Sequence, residues 1–142
     1  MHNGSQLLTF SIREPYSIAL QLVRRALTQH GLLAPAEVDV ASRIRQELGA
    51  EVAPCTVLFV DDPALLLEGI VFHRGAALGI PQPVVISGND HYTEVLIRSA
   101  KSLVLGGFPA SAQDPLLQLQ ERIVRAMETI AVREEAPLLV NS

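Results

Sequence analysis

The chain has 142 residues, 49% hydrophobic and 18% charged, with one lysine, ten arginines and a net charge of −4. A chain of this length is one domain that can bury roughly 68–70% of its unfolded surface without disulfides or metal. The composition excludes a disordered chain, no apolar run reaches the ~18 residues of a membrane helix, and the acidic balance speaks against nucleic acid or an anionic membrane as partner.

Leu8, Phe10 and Ile12 alternate with Thr9, Ser11 and Arg13, the period of a half-buried strand. Glu14-Pro15 opens a helix whose stripe is Tyr16, Ala19, Leu20, Val23, Ala26 and Leu27, and His30-Gly31 ends it. Leu32 to Val38 reads as a short strand. Asp39 caps a second helix, in which Val40, Ile44 and Leu48 recur every four residues before Gly49. Thr56 to Val60 is a continuous β-branched and aromatic run, the pattern of a central strand buried on both faces. Asp61-Asp62-Pro63 then sets a capping aspartate and a first-turn proline before a third helix with Ala64, Leu67 and Val71 on one side and Gly75 at its close.

Ala76 to Pro83 is a Gly/Pro connector. Val84-Val85-Ile86 and Val95-Leu96-Ile97 flank Gly88-Asn89-Asp90 as a hairpin. Gly106-Gly107-Phe108-Pro109 marks a loop. Asp114-Pro115 repeats the cap-plus-proline device before a last helix with a core stripe of Leu116, Leu119, Ile123, Met127 and Ile130. The order β-α-β-α-β-α-β-β-α predicts an α+β domain, a two-layer mixed sheet with helices mainly on one face. The core is expected over residues 7–131, followed by a loosely ordered tail at 132–142.

Chemistry-bearing residues are sparse. The single cysteine, Cys55, excludes a disulfide framework, and with no base beside it in sequence it reads as a small buried hydrophobe. His2, His30, His73 and His91 form no ligand pair, and His30 and His73 suit helix C-termini. Arg24-Arg25 is a solvated face. No glycine cluster has nucleotide-binding spacing. Asp61 and Asp62 are the notable pair: either a cap with an exposed neighbour or acid–base carboxylates whose environments split their pKa values. Met1 to Gln6 lacks the features of a signal peptide, so the expected compartment is the cytoplasm.

Taken in order, the opening strand and helix, Gly31-Leu32-Leu33 into Val38-Asp39, Leu48-Gly49, Val57 to Val60, Asp61-Asp62-Pro63-Ala64 and Gly79-Ile80-Pro81 resemble the domain-of-unknown-function 302 family from about Phe10 to Ala131. The resemblance implies a two-layer α+β domain, often a homodimer, without an established enzymatic activity. Many members carry Cys-Asn-Pro at the third strand–helix junction and Leu-Pro-Cys before the hairpin. Pro63 and Pro81 match those prolines, while Asp61 and Gln82 stand where the cysteines would be. Cys55 cannot replace the first of them, because six residues of strand place it roughly 20 Å away.

The expectation is therefore a non-catalytic homodimer with no cofactor and no metal. It binds a small ligand or a protein partner through Asp61, Asp62, Pro63, Pro81 and Gln82, in the Asp61–Pro63 and Ile80–Pro83 region. The apolar surplus points to a buried subunit interface. The alternatives are an enzyme using Asp61, Asp62 and His73, and a purely structural interaction module with a flat apolar patch.

Overall fold

The structure, a computed structural model, describes residues 6–103 and 109–134. One sheet holds β1 Leu7–Ile12, β2 Leu33–Asp39, β3 Cys55–Asp61, β4 Gln82–Gly88, β5 Thr93–Arg98 and β6 Val132–Arg133. The α-helices among these residues are α1 Tyr16–Gln29, α2 Val40–Leu48, α3 Pro63–Phe72 and α4 Ala110–Glu128, with 3-10 turns at Arg74–Leu78 and Ala100–Leu103. His2, residues 106–108 and residues 135–142 lie outside the described residues.

The α+β class holds. One core joins Phe10, Leu58, Val84, Ile86, Val95 and Ile97 of the sheet to Val23, Leu27, Leu116, Leu119 and Ile123 of α1 and α4. The expected mixed sheet is instead antiparallel at every described pair, in the order β2-β3-β4-β5-β1-β6. The reason is where the first crossover leads. It carries the chain from β1 through α1 to β2, a strand parallel to β1 but separated from it by three others. No parallel neighbours form.

Local signals place most boundaries. Asp39 accepts a hydrogen bond from the Ser42 amide at 3.0 Å and starts α2. Gly31 and Gly49 take the left-handed conformation, φ 72° and 70°, just past α1 and α2. Asn89 shapes the hairpin by accepting from the His91 and Tyr92 amides at 2.8 and 3.0 Å.

Three helices differ from their sequence pattern. In α3 the buried residues are Leu65 and Gly69, whereas Leu67 and Val71 are 66% and 69% exposed. The segment is apolar all round, so periodicity could not choose its inner face. Helix α2 buries none of its stripe, and Leu48 is 78% exposed. Helix α4 starts at Ala110, not at Pro115, which lies inside it. A proline there forfeits one helical hydrogen bond, but its buried ring packs beside Gly69 of α3, and that tertiary contact decides.

Strand β3 also departs from expectation. Its burial alternates: Thr56, Leu58 and Val60 face the helices, while Val57 and Phe59 on the outer side are only half-buried. Beyond the core, Val132–Arg133 pairs with Ser11 and Phe10 of β1, and the Glu134 amide donates to the Thr9 carbonyl at 2.8 Å.

Candidate functional site

The five residues singled out from sequence converge on one end of the sheet. Strand β3 pairs with β4 so that Val60 lies opposite Gln82, which brings Asp61 and Pro81 to neighbouring strand ends. The Ile80–Pro81 peptide is cis. Asp62 then leads into α3, with Pro63 at its first position. Alternation parts the side chains. Gln82 joins Val60 and Val84 on the helix side, and Asp61 falls on the side of Val57 and Phe59.

Asp62 has two structural tasks. Its Oδ1 accepts from the Ala64 amide at 2.8 Å, so it is the cap of α3. Its Oδ2 accepts from Arg122 of α4, whose other terminal nitrogen donates to the His30 carbonyl at 2.8 Å. Arg122 thereby ties the end of α1 to the start of α3. These donors hold the Asp62 carboxyl below its ordinary pKa, with the Arg122 hydrogen bond the largest cause.

Asp61 is the opposite case. It is 7% exposed, and among the described residues no hydrogen bond reaches its carboxyl. Burial, then the Asp62 charge, pushes its pKa up. Gln82 is 1% exposed; its Nε2 donates to the Leu116 carbonyl at 2.8 Å, and its Oε1 has no hydrogen-bond partner. An orphan buried acceptor asks for an explanation.

Cys55 opens β3 at the far end from Asp61, half-buried, with its thiol pKa raised chiefly by burial. A raised thiol is a poor nucleophile. His30 Nδ1 lies 2.9 Å from the Ala26 carbonyl, and His73 Nδ1 accepts from the Gly75 amide at 2.9 Å, so both serve helix ends. Arg24 forks onto Glu37 of β2 at 2.6 and 3.1 Å. Among the described residues no cluster of three or more His, Cys, Asp or Glu side chains has metal-binding geometry.

Sequence reasoning missed three hollows among the described residues. One, of about 410 Å³, is lined by Leu8, Ser99, Gln120, Arg125 and Arg133. A pocket of about 610 Å³ is lined by Ser11, Arg13, Tyr92, Thr129 and Ala131. Glu134 stands by it, accepting from Ser11 and, at 2.5 Å, from Tyr92; these two donors hold its carboxyl below the ordinary range. Another of about 320 Å³ is lined by Tyr16, Asp39, Ser42, Arg45 and Cys55. None of the three takes a residue from Asp61–Pro63 or Ile80–Pro83. Their walls combine helix ends, loops and strand edges, and no residue pattern in the sequence marks them as hollow.

Among the described residues, the sheet's outer face contributes no side chain to the hydrophobic core. One row crosses it through Val38, Val57, Val85, Leu96 and Thr9, each opposite the next in register. Phe59 and Pro83 pair in the row above; Ser87, Glu94 and Ser11 make the row below. All of these are only partly buried. An antiparallel sheet facing water ordinarily turns polar residues outward. Here the middle of the outer face is apolar and its lower rim polar.

A family model for "Domain of unknown function DUF302" matches residues 8–130. A crystal structure of an uncharacterized conserved DUF302 protein from Bacillus stearothermophilus has a similar fold. Its TM-score is 0.78 at 14% identity, covering 89% of this chain and 99% of that one. No curated protein matches the sequence.

Proposed function

The chain belongs to the DUF302 family, and from that premise we propose that it is a non-catalytic binding domain that works as a homodimer. The observation carrying this reading is the half-exposed apolar row on the sheet's outer face, Val38, Val57, Val85 and Leu96. A contiguous apolar surface of this kind marks a partner-binding site. Its small-ligand site is the sheet end where Asp61–Pro63 meets Ile80–Pro83. The Gln82 Oε1, buried without a hydrogen-bond partner, supports that placement; the Asp61 carboxyl, which accepts no hydrogen bond among the described residues, stands at the same sheet end on the opposite face. The cytoplasm is the compartment this reading assumes, and no helix among the described residues is long and apolar enough to cross a membrane.

One observation favours an enzyme instead: Asp61 and Asp62 are pushed in opposite pKa directions, as an acid–base pair requires. Against it, Asp62 already caps α3 and pairs with Arg122. Sedimentation equilibrium of the untreated protein at micromolar concentration tests the homodimer; a dimer mass is expected and a monomer overturns it. Mass spectrometry of an acid extract of the same protein tests the ligand site. A stoichiometric small polar compound is expected from the wild type and not from Gln82→Leu; equal extracts remove the site.

A further inference from the structure

We infer that the outer face of the sheet is the interface with a second copy of this chain, and that the twofold axis runs along the Thr9–Leu96–Val85–Val57–Val38 row. This deepens the homodimer reading and rests on it.

The first argument is a mismatch between sequence and chain. Thr56 to Val60 has the continuous apolar pattern of a strand covered on both sides. The chain by itself covers one side: Leu58 and Val60 are fully buried, and Val57 and Phe59 are not. The same holds on β4, where Val84 and Ile86 are buried while Val85 is not, and on β5, where Leu96 stands between buried Val95 and Ile97. One layer is missing over three adjacent strands.

The second argument is charge. On β5, Glu94 and Arg98 lie on the outer face, two residues to either side of Leu96. Sheets packed face to face are related by a twofold axis lying between them and parallel to both. An axis along the strands keeps each row opposite itself, setting the Arg98 row against its own copy. An axis across the strands, along the Leu96 row, inverts each strand. It stacks Leu96 on Leu96 and Val85 on Val85, and it brings Glu94 of each copy over Arg98 of the other. Only the second places opposite charges together, and unlike pairs fix register and orientation. Arg98 gives one nitrogen to the Ser102 carbonyl at 2.5 Å, and its fork has further donors. The middle row is then the dry centre, and Ser11, Ser87, Glu94 and Arg98 are the polar rim.

A rival patch exists on α3, where Leu67, Val71 and Phe72 are exposed. Ile70 and Leu78 extend it, and Glu68 and Arg74 are exposed beside them. It is confined to one helix and the turn after it, against three adjacent strands for the outer face.

Light scattering of the full chain at micromolar concentration separates these surfaces. Wild type gives twice the 15.4 kDa chain mass. Val85→Arg raises the dissociation constant by at least about tenfold while circular dichroism stays that of the folded protein. Glu94→Arg and Arg98→Glu each weaken the dimer, and the double reversal restores it; Val71→Arg on α3 leaves it intact. The interface is overturned if the wild type is a dimer and Val85→Arg is too, if the double reversal fails to restore the mass, or if Val71→Arg alone breaks the dimer. A monomeric wild type overturns the homodimer reading itself.

Discussion

Gln82 donates its amide nitrogen to the Leu116 carbonyl at 2.8 Å, yet its own amide oxygen is buried with no hydrogen-bond partner. A residue chosen only to bind β4 to α4 would not carry that orphan, since an unpaired buried acceptor costs about 1–3 kcal/mol. Replacing it removes the donor and the orphan together. Gln82→Leu is therefore expected to keep its stability within about 1 kcal/mol of wild type in urea melts. A loss well beyond that makes the amide structural and removes the main support for a ligand there.

Adjacent Asp61 and Asp62 should respond oppositely to mutation. Asp62→Ala removes the α3 cap and the acceptor of Arg122, so it loses at least ~1 kcal/mol, the cap alone being typically worth that much. Asp61→Asn removes a charge that burial disfavours and should raise the denaturation midpoint. The same sign for both variants refutes this division of roles.

The pH dependence follows from the same pair. Asp62 has a lowered folded-state pKa, so its stabilisation is present above the unfolded carboxyl pKa and is lost as pH falls through the folded value. Asp61 has a raised one, so its contribution is present below the unfolded pKa and is lost as pH rises through the folded value. The gain from Asp61→Asn should be largest at neutral pH and fade on acidification, as should the loss from Asp62→Asn. Urea melts from neutral pH to pH ~3 check both; a pH-independent difference contradicts the assignment.

Gly69 supplies a contrast between propensity and packing. In a helix, Gly→Ala ordinarily stabilises by about 1 kcal/mol. A Cβ at Gly69 would lie 2.9 Å from the Ala76 Cβ and beside Pro115. Gly69→Ala should therefore destabilise, by about 1–3 kcal/mol. A raised thermal midpoint would show that the Ala76 and Pro115 contacts of α3 yield easily.

Much of this fold is written locally. Asp39 and Asp62 cap the helices their positions announce, Gly31 lies past α1, and Asn89 organises the predicted hairpin. What failed was information carried by partners. Leu67 and Val71 share a helical stripe with Ala64, but α3 is apolar all round and α4 selects the other side. Pro115 resembles a start signal until α3 is present to pack on it. Asp61 and Pro81 were legible as neighbours from the order of their loops. Arg122 was not, because it lies 60 residues from Asp62 in a helix whose rotation no local rule sets. The antiparallel order likewise depends on which strand α1 reaches, a long-range choice.

The central claim, two copies packed outer face to outer face, has a direct geometric readout in Cys55, the single thiol, on the lower row of β3. It lies two residues from Val57 along the strand, so inversion about the Leu96 row separates the two Cys55 Cα atoms by about 13 Å along the strands and about 10 Å between sheets, about 17 Å in all. Pulsed electron–electron double resonance on protein spin-labelled at Cys55 should give one short, narrow distance in that region, widened by the label arms, and that distance should vanish in Val85→Arg. A long distance, as a dimer joined through α3 would give, or no dipolar coupling at all contradicts the claim.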